Sequence, residues 1–174
     1  LRHDNSRTLF LHHNQVIIFG IEEARAGILP VLDLFMRDQE TRLDVWVLVA
    51  DGSAKDILKV QPKQETIASF ALRDMAENKA KISRYMSVDL LTLMSRLMDE
   101  TAAPLIPIIR IIEEDDGPRL SMTGMAVFQQ DRMIGTLTES EVQGYALLKG
   151  GVEQGQIAVS TPDGEAALSI RQTK

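Results

Sequence analysis

Two short runs in which every residue is apolar, Val16-Ile17-Ile18-Phe19 and Val45-Trp46-Val47-Leu48-Val49, bracket a connection with helical periodicity. Strands without polar alternation are normally buried on both faces. Joined by a helix-length connection, such runs predict a βαβ unit with parallel strands and a right-handed crossover. Gly27 and Pro30 interrupt the connection. Glycine suits a helix end and proline a first helical turn, which splits the pattern into helices near 21–26 and 29–37. Val31, Leu32, Phe35 and Met36 form the stripe expected to face the strands. Trp46 is expected to lie buried between strands and helices.

Further helices are predicted after Ser53, over 64–84 and after Ser87. Their expected inward residues are Ile57 and Leu58, then Ile67, Phe70, Ala71 and Met75, then Leu90, Leu91, Met94, Leu97 and Met98. Ser53 with Asp56 and Thr138 with Glu141 have capping-box spacing. From Leu105 the character changes. Leu105 to Ile112 is rich in β-branched residues, and Pro107 within it implies an edge or a bulge. Leu120, Met122, Gly124, Ala126 and Phe128 alternate as on a half-buried strand. A turn at Gln130-Asp131 leads into Met133 to Leu137, and the helix behind Thr138 is expected to bury Val142, Tyr145, Ala146 and Leu148. Weak strands at Gln156–Ser160 and Ala166–Ile170 flank a turn.

The expected fold is α+β, or mixed α/β. A helix-rich βαβ lobe over residues 1–102 precedes a small antiparallel lobe with a capping helix over 103–151. Residues 152–174 form a hairpin opening a further, missing domain. Residues 105–112 and 120–128 are expected to leave an unprotected sheet edge through which the chain self-associates.

The 174 residues suffice for a sizeable core, and the net charge of −6 argues against nucleic acid, whose partners are basic and clustered. The chain has no cysteine, and therefore no thiolate nucleophile or cysteine-held zinc. The histidines are His3, His12 and His13. Adjacent residues of a strand point to opposite faces, so His12 and His13 cannot easily share a metal. Gly20 and Gly27 lack the G-x-G-x-x-G spacing of a dinucleotide loop, and Glu22 and Glu23 would repel phosphate. Glu113 to Asp116 lack the alternating ligands of a calcium loop. Met86, Met94 and Met98 could line a soft groove. No set of residues forms a nucleophile, base and orienter. No catalytic, cofactor-binding or metal-ligating residue is therefore assigned, and no cofactor. The one pocket argued from the pattern lies beyond the strand ends, where loops 20–22 and 50–54 meet.

Two stretches then carry a resemblance. Ser6-Arg7-Thr8-Leu9-Phe10 through His13, Val16 to Gly20, Glu23-Ala24-Arg25-Ala26-Gly27, Leu32-Asp33, Arg37-Asp38 and Arg42 form the first. Gly124-Met125-Ala126-Val127-Phe128, Asp131 to Gly135, and Glu139 to Leu148 with Gly144 form the second. In this order they resemble the Ger(x)C spore germination lipoproteins, the C subunits of germinant receptors. Ile21 departs from the family's usual glutamate, and the family's lipobox cysteine and early segment are not in this chain. The resemblance implies a non-catalytic lipoprotein subunit, not an enzyme, held by an N-terminal lipid anchor on the outer face of the spore inner membrane. It also implies integral-membrane A and B receptor subunits as partners in nutrient-triggered germination. The alternative is a module binding a small germinant.

Overall fold

The computed structural model describes residues 14–38, 41–60, 68–81, 88–99, 101–149, 154–161 and 164–171. Strand β1 (Val16–Gly20) lies parallel to β2 (Trp46–Ala50), in register from Val16 opposite Trp46 to Gly20 opposite Ala50. The connection between them holds α1 (Ile21–Ala26) and α2 (Leu29–Arg37), as the glycine and proline predict. Strand β3 (Leu105–Glu114) joins β2 in parallel through only Val49 opposite Ile108 and Ala50 opposite Ile109. It then pairs antiparallel with β4 (Gly117–Gln129), which pairs with β5 (Arg132–Leu137). The result is one five-stranded sheet in the order β1-β2-β3-β4-β5.

The expected lobes thus share a sheet, and β3 is interior rather than an edge. Within this sheet the strands unflanked on one side are β1 and β5. The stretch 105–112 pairs with β4 along its length and with β2 at Ile108 and Ile109, so the sheet edge on this side is β5 and not the stretch expected. Before β3 arrives, the start of β2 is stitched to the loop ahead of the fifth helix: Val47 N donates to Val88 O (2.9 Å) and Leu90 N to Val45 O (2.9 Å).

Helices cover both faces. On one side α1, α2 and α5 (Leu90–Met98) pack Ala24, Leu32, Leu90 and Leu93 against Phe19, Val47, Ile106 and Phe128. On the other, α3 (Ala54–Lys59), α4 (Ala68–Lys81) and α6 (Glu139–Leu148) pack Ile57, Leu72 and Val142 against Leu48, Ile109, Met122 and Met125. Burial on both faces is what the apolar runs required.

The alternation in β4 hides a reversal. Leu120 and Met122 belong to the α3–α4–α6 side, whereas Ala126 and Phe128 belong to the other. Ile108 pairs with Gly124 and Ile109 with Met122, so Thr123 is an extra residue on β4. A bulge of one residue changes the face presented by everything beyond it. Pro107 lies next to this irregularity, and β2 pairs only with the two residues that follow it. Gly124 sits at the bulge with φ 154°, and a Cβ there would collide with Leu137 O.

Several helical stripes are rotated from expectation. Ile28, fully buried ahead of α2, sets the inward face as Ile28, Leu32 and Phe35, leaving Val31 and Met36 exposed. Helix α5 is capped by Asp89, whose carboxylate accepts from Thr92 N (2.6 Å), and it buries Leu90, Leu93 and Met94. Leu91 and Met98 face outward, and the expected cap, Ser87, lies outside the described residues. On α3 Leu58 is exposed, and Ser53 makes no side-chain cap; Asp56 pairs with Lys59 (2.7 Å). On α4 Leu72 and Ala76 are buried where Phe70 was expected. Thr138 and Glu141 do form the capping box of α6, but Leu148 is exposed. Trp46, the first residue of β2, is half-buried. Strands β6 (Gln154–Thr161) and β7 (Gly164–Arg171) form a separate antiparallel pair.

Candidate functional site

The region beyond the carboxyl ends of β1 and β2 is built by main-chain bonds. Ile21 N donates to Gly52 O (3.1 Å), and Asp51 N donates to Ile109 O (2.8 Å). Asp51 also accepts from Arg110 Nε (2.6 Å), tying the turn after β2 to β3. A groove of about 1060 Å³ starts here and runs along the outer side of β1. Ile18, Phe35, Glu22, Glu23 and Lys55 are among the residues that line it. Trp46 N donates to Gln15 O. Bonding in a strand alternates with period two, so Ile17 and Phe19 also bond β2, and the main chain of Val16 and Ile18 faces the groove.

This is the pocket the sequence predicts, and its chemistry is poor. Glu22 is engaged by Arg25 (3.0 Å), and the Glu23 carboxylate lies close over Gly20, where a phosphate-binding loop would need bare amides.

A second cavity, of about 640 Å³, was not expected. It lies where the β4–β5 turn meets the start of α2 and the end of α5, and Leu29, Arg96, Leu97, Met98 and Asp131 are among its walls. Asp131 holds the junction of α1 and α2: its carbonyl accepts from Ile28 N (2.9 Å) and its Oδ2 from Leu29 N (3.4 Å). The chain must pass close to Asp131 to make these bonds. Gly27 allows it, with φ 129° and no Cβ; an added Cβ would stand 2.7 Å from Asp131 Oδ2. Gln130 in the same turn adopts φ 53°. Gly27 and Asp131 both belong to the recognised motifs, so a signal existed, but nothing local to either segment links them. Met98, singled out as a groove residue, does line this cavity; Met94 is buried, and Met86 lies outside the described residues.

Elsewhere the titratable groups pair at the surface. Asp44 binds Arg42 (2.9 Å to Nε), which holds its carboxyl below the usual range, and Asp56 is lowered by Lys59 in the same way. Asp99 is lowered by the Thr101 hydroxyl and amide. Arg37 pairs with Asp33 (2.7 Å) rather than with its neighbour Asp38. Glu114, at the acidic hairpin tip, pairs with Arg119 (2.6 Å). Among the described residues no three metal-ligating side chains cluster, and no helix is long and apolar enough to cross a membrane. His3, His12 and His13 lie outside those residues.

Comparison with known proteins covers almost the whole chain. Residues 1–111 match the spore germination protein N-terminal domain, and residues 123–174 match the spore germination B3/GerAC-like C-terminal family. The putative spore germination protein YfkR of Bacillus subtilis is 27% identical over 97% of this chain and 44% of its own length. Spore germination protein YndF of the same organism is 30% identical over 86% of this chain and 36% of its own. The chain therefore spans less than half the length of these relatives. The crystal structure of the GerBC protein superposes with a TM-score of 0.58 over 92% of this chain and 45% of the other, at 17% identity, which establishes a shared fold.

Proposed function

The chain belongs to the Ger(x)C family of spore germination proteins, and from that premise we propose that it is part of a non-catalytic lipoprotein subunit of a germinant receptor. In this reading the whole protein is tethered by lipid to the outer face of the spore inner membrane. It acts in nutrient-triggered germination through contacts with the membrane-embedded A and B subunits. The observation that carries the proposal is the order and extent of the two family matches, residues 1–111 and 123–174. The test is co-purification of the full-length protein with its neighbouring receptor subunits from spore membranes, with and without nutrients. Recovery of those subunits is expected. Their absence in both conditions, together with unchanged nutrient germination of spores lacking the protein, would refute the role.

The groove beside β1 favours a second reading, a module for a small neutral ligand. Its few polar anchors limit it to weak binding. Calorimetry showing submicromolar binding of a nucleoside or sugar, abolished by filling the groove with Ile18→Trp, would replace the contact-based reading.

A further inference from the structure

We propose that the open edge of β1 is a self-complementary interface, at which two copies of this chain pair β1 to β1, antiparallel, into one continuous sheet. The two edges of the five-stranded sheet are built differently. On β5, Gly135 pairs with Val127 and Met133 with Phe128, so Ile134 is an extra residue. Such a bulge twists an edge away from further pairing. Strand β1 follows β2 residue for residue from Val16 to Gly20, and it carries no bulge, charge or proline. Those are the devices by which proteins close an edge, and β1 lacks them. Among the described residues no strand lies beyond it in the sheet. The main chain of Val16 and Ile18 faces the groove of about 1060 Å³ instead.

The groove also defines what enters it. Val31 and Phe35 of α2 wall it on one face of the sheet, and Ala54 of α3 walls it on the other. A strand held between two helical layers needs apolar side chains on both faces. Val16-Ile17-Ile18-Phe19 meets that need. Leu34, 68% exposed, stands one turn on from Val31, so α2 turns an uncovered apolar stripe outward beside the groove. The occupant must bring an all-apolar strand and an apolar helix flank in the same relation. This surface is itself that combination. A twofold axis normal to the sheet at Ile18 sets Ile18 opposite its counterpart and Val16 opposite Gly20 of the other copy. The same axis brings the two α2 helices together on one face. The Ile18 pair then exchanges both main-chain bonds. A small ligand in the groove would leave Leu34 uncovered.

The pairing does not rest on the receptor role, and either can fail while the other stands. The test is sedimentation equilibrium of the chain over a range of concentrations, and a dimer is expected. Ile18→Pro removes an N–H that faces the groove and not β2, and should abolish the dimer. Leu34→Lys sets like charges across the axis and should weaken it about tenfold or more. Circular dichroism reports that each variant is folded, and if Ile18→Pro is not, Leu34→Lys decides alone. The chain has no cysteine, so single cysteines map the contact. Ile18→Cys should oxidise in air to a disulfide-linked dimer, because paired Cα atoms about 5.5 Å apart are within disulfide reach. Ile134→Cys, on the bulged edge, should not. The proposal is overturned by a chain that stays monomeric, by a dimer that Leu34→Lys leaves unchanged, or by cross-linking at Ile134 in place of Ile18.

Discussion

Asp131 and Gly27 meet although they lie far apart in the chain, and each is needed by the other's geometry. Gly27→Ala forces a Cβ into a positive-φ backbone and against Asp131 Oδ2. We expect a loss of about 1–3 kcal/mol in urea unfolding. Gly52→Ala also has positive φ but open space around it, and should lose less. At the start of α6 the Glu141 carboxyl lies below its ordinary 4.5 because the Thr138 amide and then its hydroxyl donate to the charged form. A carboxyl lowered by folding stabilises the native state above its unfolded value, and the benefit fades as pH falls through the lower native value. Glu141→Gln should therefore be less stable than the parent at neutral pH, and the gap should close as pH drops below 4.5. A constant gap across that range would contradict the capping-box electrostatics. Thr138→Ala should cost about 1 kcal/mol at neutral pH, measurable by the same unfolding curves.

At the scale of elements, strands were more legible than the faces of helices. Val45 to Val49 announces a strand because every position is apolar, and Val45, Val47, Leu48 and Val49 are indeed buried. Helices α2 and α5 were placed well, yet their inward faces were misjudged. Each follows a buried residue, Ile28 or Val88, that fixes the rotation from outside the helix. The alternation of β4 looked continuous in sequence, since a bulge residue is not distinguished by composition. Removing Thr123 should restore regular pairing and turn either Met122 or Ala126 and Phe128 toward the wrong face. We expect the deletion to abolish cooperative unfolding, whereas Thr123→Ala should leave it intact. The second cavity was illegible for a related reason: its walls come from three segments, and a lone Arg96 on a helix carries no local signature.

One sheet runs through both of the lobes that the sequence suggested, and β6 and β7 pair apart from it. The abrupt change of character after residue 102 is real, but it marks a change from parallel to antiparallel pairing within a single sheet. Only two residue pairs of β3 with β2 reveal this, and no sequence periodicity encodes so brief a contact. Unfolding followed by Trp46 emission and by far-UV circular dichroism should give the same denaturant midpoint, because Trp46 on β2 and Tyr145 on α6 pack against one apolar layer that spans both halves. Separate midpoints would restore independent lobes.

That narrow junction has a mechanical consequence. The β1–β2 half and the β4–β5 half are joined within the sheet by Val49 with Ile108, Ala50 with Ile109, and the clasp of Asp51 on Arg110. Beyond it, β3 and β4 continue together as a two-stranded arm to Glu114 and Gly117. A pull on the arm tip, resisted at β1, concentrates its load on those rungs before it reaches any longer ladder. The arm works as a lever and the junction as its fulcrum, so the first thing tension would change is the angle between the two halves.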